Sequence, residues 1–174
     1  MTDIDLSDPS GFNEYWTDTV DAFREVAIDG PLADPASNLT TADGDPVLNA
    51  HVTGPVSDQN LAAQYAFPIA WSVPEGHTPS YDTVSTDQGD IRMRVVTFAA
   101  DTDPDRASKV ARALGGRIVD NVEANRSLVV DGDVHAEGTF LTEFQADFRI
   151  TSGNERAQVK YCQMFFDIGT KRRI

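Results

Sequence analysis

Three aspartates at alternate positions, Asp101, Asp103 and Asp105, sit in the most chemically suggestive stretch of the chain, RMRVVTFAADTDPDRASKVARALGG at residues 92–116. The D-x-D-x-D spacing is that of a calcium loop, where carboxylates at positions one, three and five face one cation. Such a loop also needs a glycine at position six and a bidentate glutamate at position twelve. Arg106 and Arg112 stand at those places, so the turn residue and the principal ligand are both replaced by cations. A phosphate is an equally poor guest, because the same carboxylates would repel it from the helix N-terminus. The spacing fits a helix start: Asp103 as cap, Pro104 at the first helical position, and Asp105 facing the positive end of the dipole.

The other reactive side chains are scattered. The three histidines, His51, His77 and His135, have no sequence neighbour that completes a ligand set. HAE at 135–137 matches the H-x-E of zinc deaminases, but their P-C-x-x-C partner is absent. The chain contains no G-x-S-x-G, no Walker loop and no H-E-x-x-H. Cys162 is its one cysteine, which excludes an internal disulfide and a cysteine-based zinc cluster and reads as a small apolar strand residue. The expectation is no catalytic residue, no cofactor site and no metal site.

Two groups of residues point to contact instead. Tyr15 and Trp16 lie beside the apolar stripe of the first helix and suit either core packing or a subunit interface. Lys171, Arg172 and Arg173 cluster in TKRRI at 170–174 of an otherwise acidic chain. They read either as a solvated tail or as a tail that pairs closely with an acidic neighbouring subunit.

The elements that must position these groups follow from periodicity. Phe12, Trp16, Val20, Phe23 and Ala27 recur at three- and four-residue steps, predicting a helix from Ser10 to Ala27 that closes at Gly30-Pro31. Residues 28–46, rich in Gly, Pro, Asp, Ser and Thr, are expected to form a long loop or arm. A short strand at 47–52 and an alternating strand at 63–73 come next, the latter placed at an edge or bulge by Pro68. A second long loop is expected over 74–90, then a strand at Ile91–Ala99. The helix from Asp103 buries Ala107, Val110, Ala111 and Leu114, and a second short helix beyond Gly115-Gly116 carries Ile118, Val119 and Val122. After a strand at 127–130 and a turn at Asp131-Gly132, the strand Thr139–Ile150 should place Phe140, Phe144, Ala146, Phe148 and Ile150 on one face. TSGNE at 151–155 turns into a partner strand, Arg156–Ile168. Helices grouped on one face of a mainly antiparallel sheet, with long loop arms, make a single α+β domain over 1–174, a two-layer sandwich.

Composition sets the habitat. The 174 residues carry 28 acidic and 14 basic side chains, a net charge of −14; Asp outnumbers Glu 21 to 7 and Arg outnumbers Lys 11 to 3. Such charge keeps a protein soluble but repels itself at low salt, whereas at molar salt the Debye length falls to about 3 Å. The expectation is a protein of a salt-loaded cytoplasm that recognises partners by contact. There is no basic stripe for wrapping DNA. The acidic N-terminus lacks a signal-peptide pattern and no apolar run is long enough to span a membrane, so none is expected. The sequons at Asn38 and Asn125 then read as chance matches.

GDIRMRVVTFAADTDPDRASKVARALGGRIVDNVEANRSLVVDG, followed by GTFLTEFQADFRI and VKYCQMFFDIG, resembles the neck proteins of tailed viruses. Within that group it is most similar to tail terminators of viruses that infect haloarchaea, in element order from Phe12 to about Thr170. The resemblance implies an α+β subunit that forms a homo-oligomeric ring, usually a hexamer, in the virion neck after assembly in the host cytoplasm. The ring would cap the tail tube protein and present a surface to the head connector or stopper protein. DNA would pass through an acidic lumen without specific binding. Another neck or tail subunit, and a halophilic enzyme or small-molecule binder, remain as alternatives.

Overall fold

The computed structural model describes residues 11–33, 48–53, 66–83, 86–151 and 158–173. The helix signals at 8–10, the remainder of the 28–46 segment, the first part of the 63–73 strand and the TSGNE turn lie outside the described residues.

Helix α1 (Gly11–Arg24) follows the predicted stripe: Val20 and Phe23 are buried, while Glu14, Asp18, Asp21 and Glu25 point outward. It does not stop at Gly30-Pro31. The helix widens into a π-turn (Glu25–Asp29) and runs on into α2 (Gly30–Ala33). Pro31 has no N–H to offer the Ala27 carbonyl. Asn121 of the long helix fills that gap, its Nδ2 donating to Ala27 O at 3.2 Å. The expected loop therefore begins as helix.

Five strands form the main sheet in the order β1-β2-β3-β7-β6: β1 (Ala50–Thr53), β2 (Ile69–Thr83), β3 (Thr86–Asp101), β6 (Gly138–Thr151) and β7 (Gln158–Arg173). Only the β1–β2 pair is parallel. A small hairpin, β4 (Val129–Val130) with β5 (Asp133–Val134), stands apart. Asp131 and Gly132 turn it with φ of 52° and 93°, the left-handed pair that a two-residue hairpin requires.

Helix α3 (Pro104–Ala124) is continuous through Gly115-Gly116, contrary to the predicted break. Gly115 is there for closeness: a Cβ on it would lie 3.0 Å from Cys162 Sγ and 3.3 Å from Met164 Sδ. Thr97, buried in β3, reinforces that contact by donating to Ala111 O at 2.7 Å. Both long helices pack on one face, where Phe23, Ile28, Leu114, Ile118 and Val122 meet Ile91, Met93, Val95, Met164, Phe166 and Ile168. The α+β two-layer arrangement expected from the sequence is thus the observed one.

The predicted loop over 74–90 is instead strand: β2 and β3 remain paired from Ile69↔Phe98 out to Thr83↔Thr86. Pro74 and Pro79 are tolerated because β1 covers β2 only over Ile69–Ser72. Beyond that β2 has no outer partner among the described residues, so a missing N–H breaks no ladder there, and bulges at Glu75 and Asp82 absorb the irregularity. The predicted basic tail is likewise strand, since Thr170 to Arg173 pair with Gly89 to Thr86.

The expected apolar face of β6 holds for Phe144 and Ala146, opposite Met164 and Cys162, but Phe140 leaves it, and the side chains of Phe148 and Ile150 lie outside the described residues. A bulge at Thr142 shifts register, so Phe140 pairs with Asp167 while Phe144 pairs with Met164, on opposite sides of the sheet. Leu141 takes the core-facing place and leaves Phe140 55% exposed on the other face, while Phe144, on the core side of this terminal strand, is 42% exposed.

Candidate functional site: the arm end of the sheet

Strand β3 spans about 50 Å at roughly 3.3 Å per residue, whereas α3 covers about 30 Å at 1.5 Å per residue. The sheet therefore outruns its helices. Positions 78–83, 86–88 and 171–173 make a three-stranded arm, on which Thr78, Pro79 and Lys171 are exposed.

The base of the arm is built from residues the sequence singled out. The Tyr15 hydroxyl donates to Thr170 Oγ1, which in turn donates to Gly89 O at 2.7 Å. Tyr15 and Trp16 both stand edge-on to the His77 ring, each at 6.3 Å between centroids. Both are half-buried and pack against the core, so they clamp α1 to the base of the arm. Gly89 makes the clamp possible: a Cβ there would lie 2.8 Å from Thr78 O and closer still to the His77 imidazole. Lys171, Arg172 and Arg173 follow Thr170 directly along β7, in register with Gln88, Asp87 and Thr86. The five predicted contact residues thus gather at one end of the molecule, two at the base of the arm and three along it.

Along its outer edge the arm has no partner strand among the described residues. Strand β6 begins its pairing at Gly138↔Gly169, and Glu137 N donates to Gly169 O at 2.8 Å. Among the described residues nothing pairs with β7 beyond that point on that side. The β4–β5 hairpin precedes Glu137 in the chain and packs against the π-turn, with Val130 and Ala136 anchored on the core.

The acidic turn behaves as a cap. Asp103 accepts from Asp105 N at 3.0 Å, and Asp101 accepts from Asp103 N at 2.9 Å while pairing with Arg106 at 3.4 Å. The backbone N–H of Asp103, with smaller help from Arg106 and Thr102, holds the Asp101 carboxyl below the usual carboxylate range. Burial pushes the Cys162 thiol up to about 11, partly offset by the Arg112 guanidinium, so the thiol is neutral and unreactive at ordinary pH.

One constellation was invisible in the sequence. His51 on β1 places Nδ1 2.7 Å from Asp29 Oδ1 and Nε2 2.7 Å from Ser72 Oγ, and Arg24 Nε donates to the same Ser72 oxygen at 3.2 Å. One proton assignment satisfies every member: Nδ1–H to Asp29, the serine hydroxyl to Nε2, and Arg24 to Oγ. Serine, histidine and carboxylate in that order can perform acyl transfer when the hydroxyl is reachable. Here Ser72 is 0% exposed, in a strand face covered by the helix layer. In this conformation the array ties α1, the π-turn, β1 and β2 together. Its members come from positions 24, 29, 51 and 72 of four different elements, so no local motif announces them.

The opposite face of the sheet carries a second polar group. Glu75 bridges Arg94 at 3.7 Å and Arg92 at 4.0 Å, and these guanidinium groups lie over the Trp71 and Phe165 rings at 4.8 to 6.0 Å. Arg94 Nε also donates to Gln163 Oε1 at 3.0 Å. With its carboxylate supplied from within, this platform is a stabilised surface rather than an open anion site. No protein-family model matches the chain, and no curated protein matches it significantly.

Proposed function

We propose that this protein is a ring-forming structural subunit of a tailed-virus neck, a tail terminator that caps the tail tube and presents a surface to the head connector or stopper protein. One observation carries the reading: the sheet extends past its helix layer as a three-stranded arm whose last strand is basic and has no partner on its outer edge among the described residues, on a chain of net charge −14. An arm with an unpaired edge is suited to engaging another chain through backbone hydrogen bonds. Its Lys171, Arg172 and Arg173 favour an acidic partner, and a further copy of this chain is one. Repetition of a heterologous contact of this kind closes into a ring when the rotation permits. A hexamer is the size suggested by the sequence resemblance, and an acidic lumen would let DNA pass without holding its phosphates.

The test is an elongation assay. Purified protein added to growing tail tubes in molar KCl should halt growth and leave a ring of density on one end. Undiminished tube lengths and bare ends would reject the capping role.

The Asp29–His51–Ser72 array favours a second reading, a hydrolytic enzyme. A fluorophosphonate probe separates the two. The proposed structural role predicts no labelling of the folded protein, whereas stoichiometric labelling of Ser72 would establish the enzyme.

A further inference from the structure

The large apolar residues that the described part of the chain leaves exposed are Val129, Val134, Phe140 and Phe144. Val129 and Val134 are direct partners across the β4–β5 hairpin, at 41% and 68% exposure, so the hairpin presents a valine pair to the outside. The Arg126 guanidinium lies over the Phe140 ring, 5.6 Å from the ring centroid, and Arg126 stands two residues past the end of α3. The hairpin is tied to the same end of α3, where Asn125 Nδ2 donates to Val129 O at 3.0 Å and Val129 N donates to Asn125 Oδ1 at 2.9 Å.

The rim of the hairpin is acidic. Asp131, Asp133 and Glu137 are all exposed, and among the described residues none of the three takes part in an ion pair. Lys171 on the arm is likewise exposed and in no ion pair. One chain thus carries an exposed valine pair rimmed by uncompensated carboxylates and, separately, a basic strand whose outer edge has no partner among the described residues. Charge complementarity between the two selects the occupant.

We infer that the β4–β5 hairpin of one copy receives the basic end of β7, residues 171–173, from the next copy. The inference rests on the ring reading and names its joint. Carboxylates at 131, 133 and 137 meet the cations of the arm, while the Val129–Val134 pair covers the aliphatic stems of the basic side chains. Close charge-assisted pairs of this kind persist at a salt concentration that erases long-range attraction. Donor and receiver are different surfaces, so the contact is heterologous, as a ring needs.

A charge exchange tests the joint. Asp133→Lys with Glu137→Lys reverses the receiver without touching the left-handed positions Asp131 and Gly132. Lys171→Glu with Arg172→Glu and Arg173→Glu reverses the donor. Each set should abolish rings in molar KCl while leaving the circular-dichroism melt of a folded domain, and the two sets in one chain should restore them. Rings that persist in the folded receiver variant would overturn the joint while leaving the ring itself intact. Failure of the combined variant to re-form rings would also overturn it. Wild-type protein that forms no ring would instead remove the reading on which the joint rests. Rings that persist but no longer bind tubes would assign the hairpin to the tube protein and reject the self-contact.

Discussion

Asp101, Asp103 and Asp105 show how residue types that suggest one chemistry can serve another. Their spacing invites a cation, but two of the three are spent on backbone N–H groups at the start of α3, and Asp101 also holds Arg106. Loss of the cap in Asp103→Ala should cost about 0.5–2 kcal/mol, read as a lower unfolding midpoint in denaturant. Asp101 makes the effect pH-dependent. Its carboxyl is held low in the folded state, so its contribution is complete above the unfolded value and fades as pH falls through the folded one. Asp101→Ala should therefore lower the melting temperature at neutral pH, and the gap to wild type should close in acid. This turn was legible from sequence because a cap is local, with all its partners within five residues. The Asp29–His51–Ser72 array was not, because its members meet only when β1 pairs in parallel with β2 and the π-turn swings Asp29 over the pair.

At the scale of elements, what the sequence signalled well was what periodicity governs: the stripe of α1, the buried face of α3 and the alternation in β3 and β7. What it concealed was where breakers are harmless. Pro74, Gly76, Pro79 and Gly89 read together as a loop, yet β2 has no outer partner among the described residues over that stretch and Gly89 is required by the His77 ring beside it. The bulge at Thr142 is similarly silent, and it moves Phe140 to the other side of the sheet from Phe144. The glycine pair in α3 gives a sharp contrast to measure. Gly115→Val forces atoms into Cys162 and Met164 and should destabilise by about 1–3 kcal/mol. Gly116 has nothing within 4 Å of an added Cβ, so Gly116→Ala should stabilise by about 0.4–1 kcal/mol. Paired denaturant curves at one salt concentration decide both signs.

For the whole molecule, charge and shape act together. The surplus of 14 negative charges is a load on the compact state at low ionic strength, and 28 acidic side chains against 14 basic ones leave half of them without a possible ion-pair partner. The melting temperature should therefore climb steeply with KCl and flatten once the Debye length is shorter than the spacing of surface charges. A flat response would detach the composition from any saline habitat. The same molecule sends a basic arm, its outer edge without a partner among the described residues, beyond its helix layer and leaves an acid-rimmed hairpin with an exposed valine pair against the π-turn. These features have a common use if copies join arm to hairpin in sequence around an axis. The most direct measurement is the mass and projection shape of the purified chain in molar KCl, by native-state mass determination and negative-stain microscopy. The account predicts one closed ring of uniform subunit number; a monodisperse monomer whose melting temperature rises with a small-molecule ligand would contradict it.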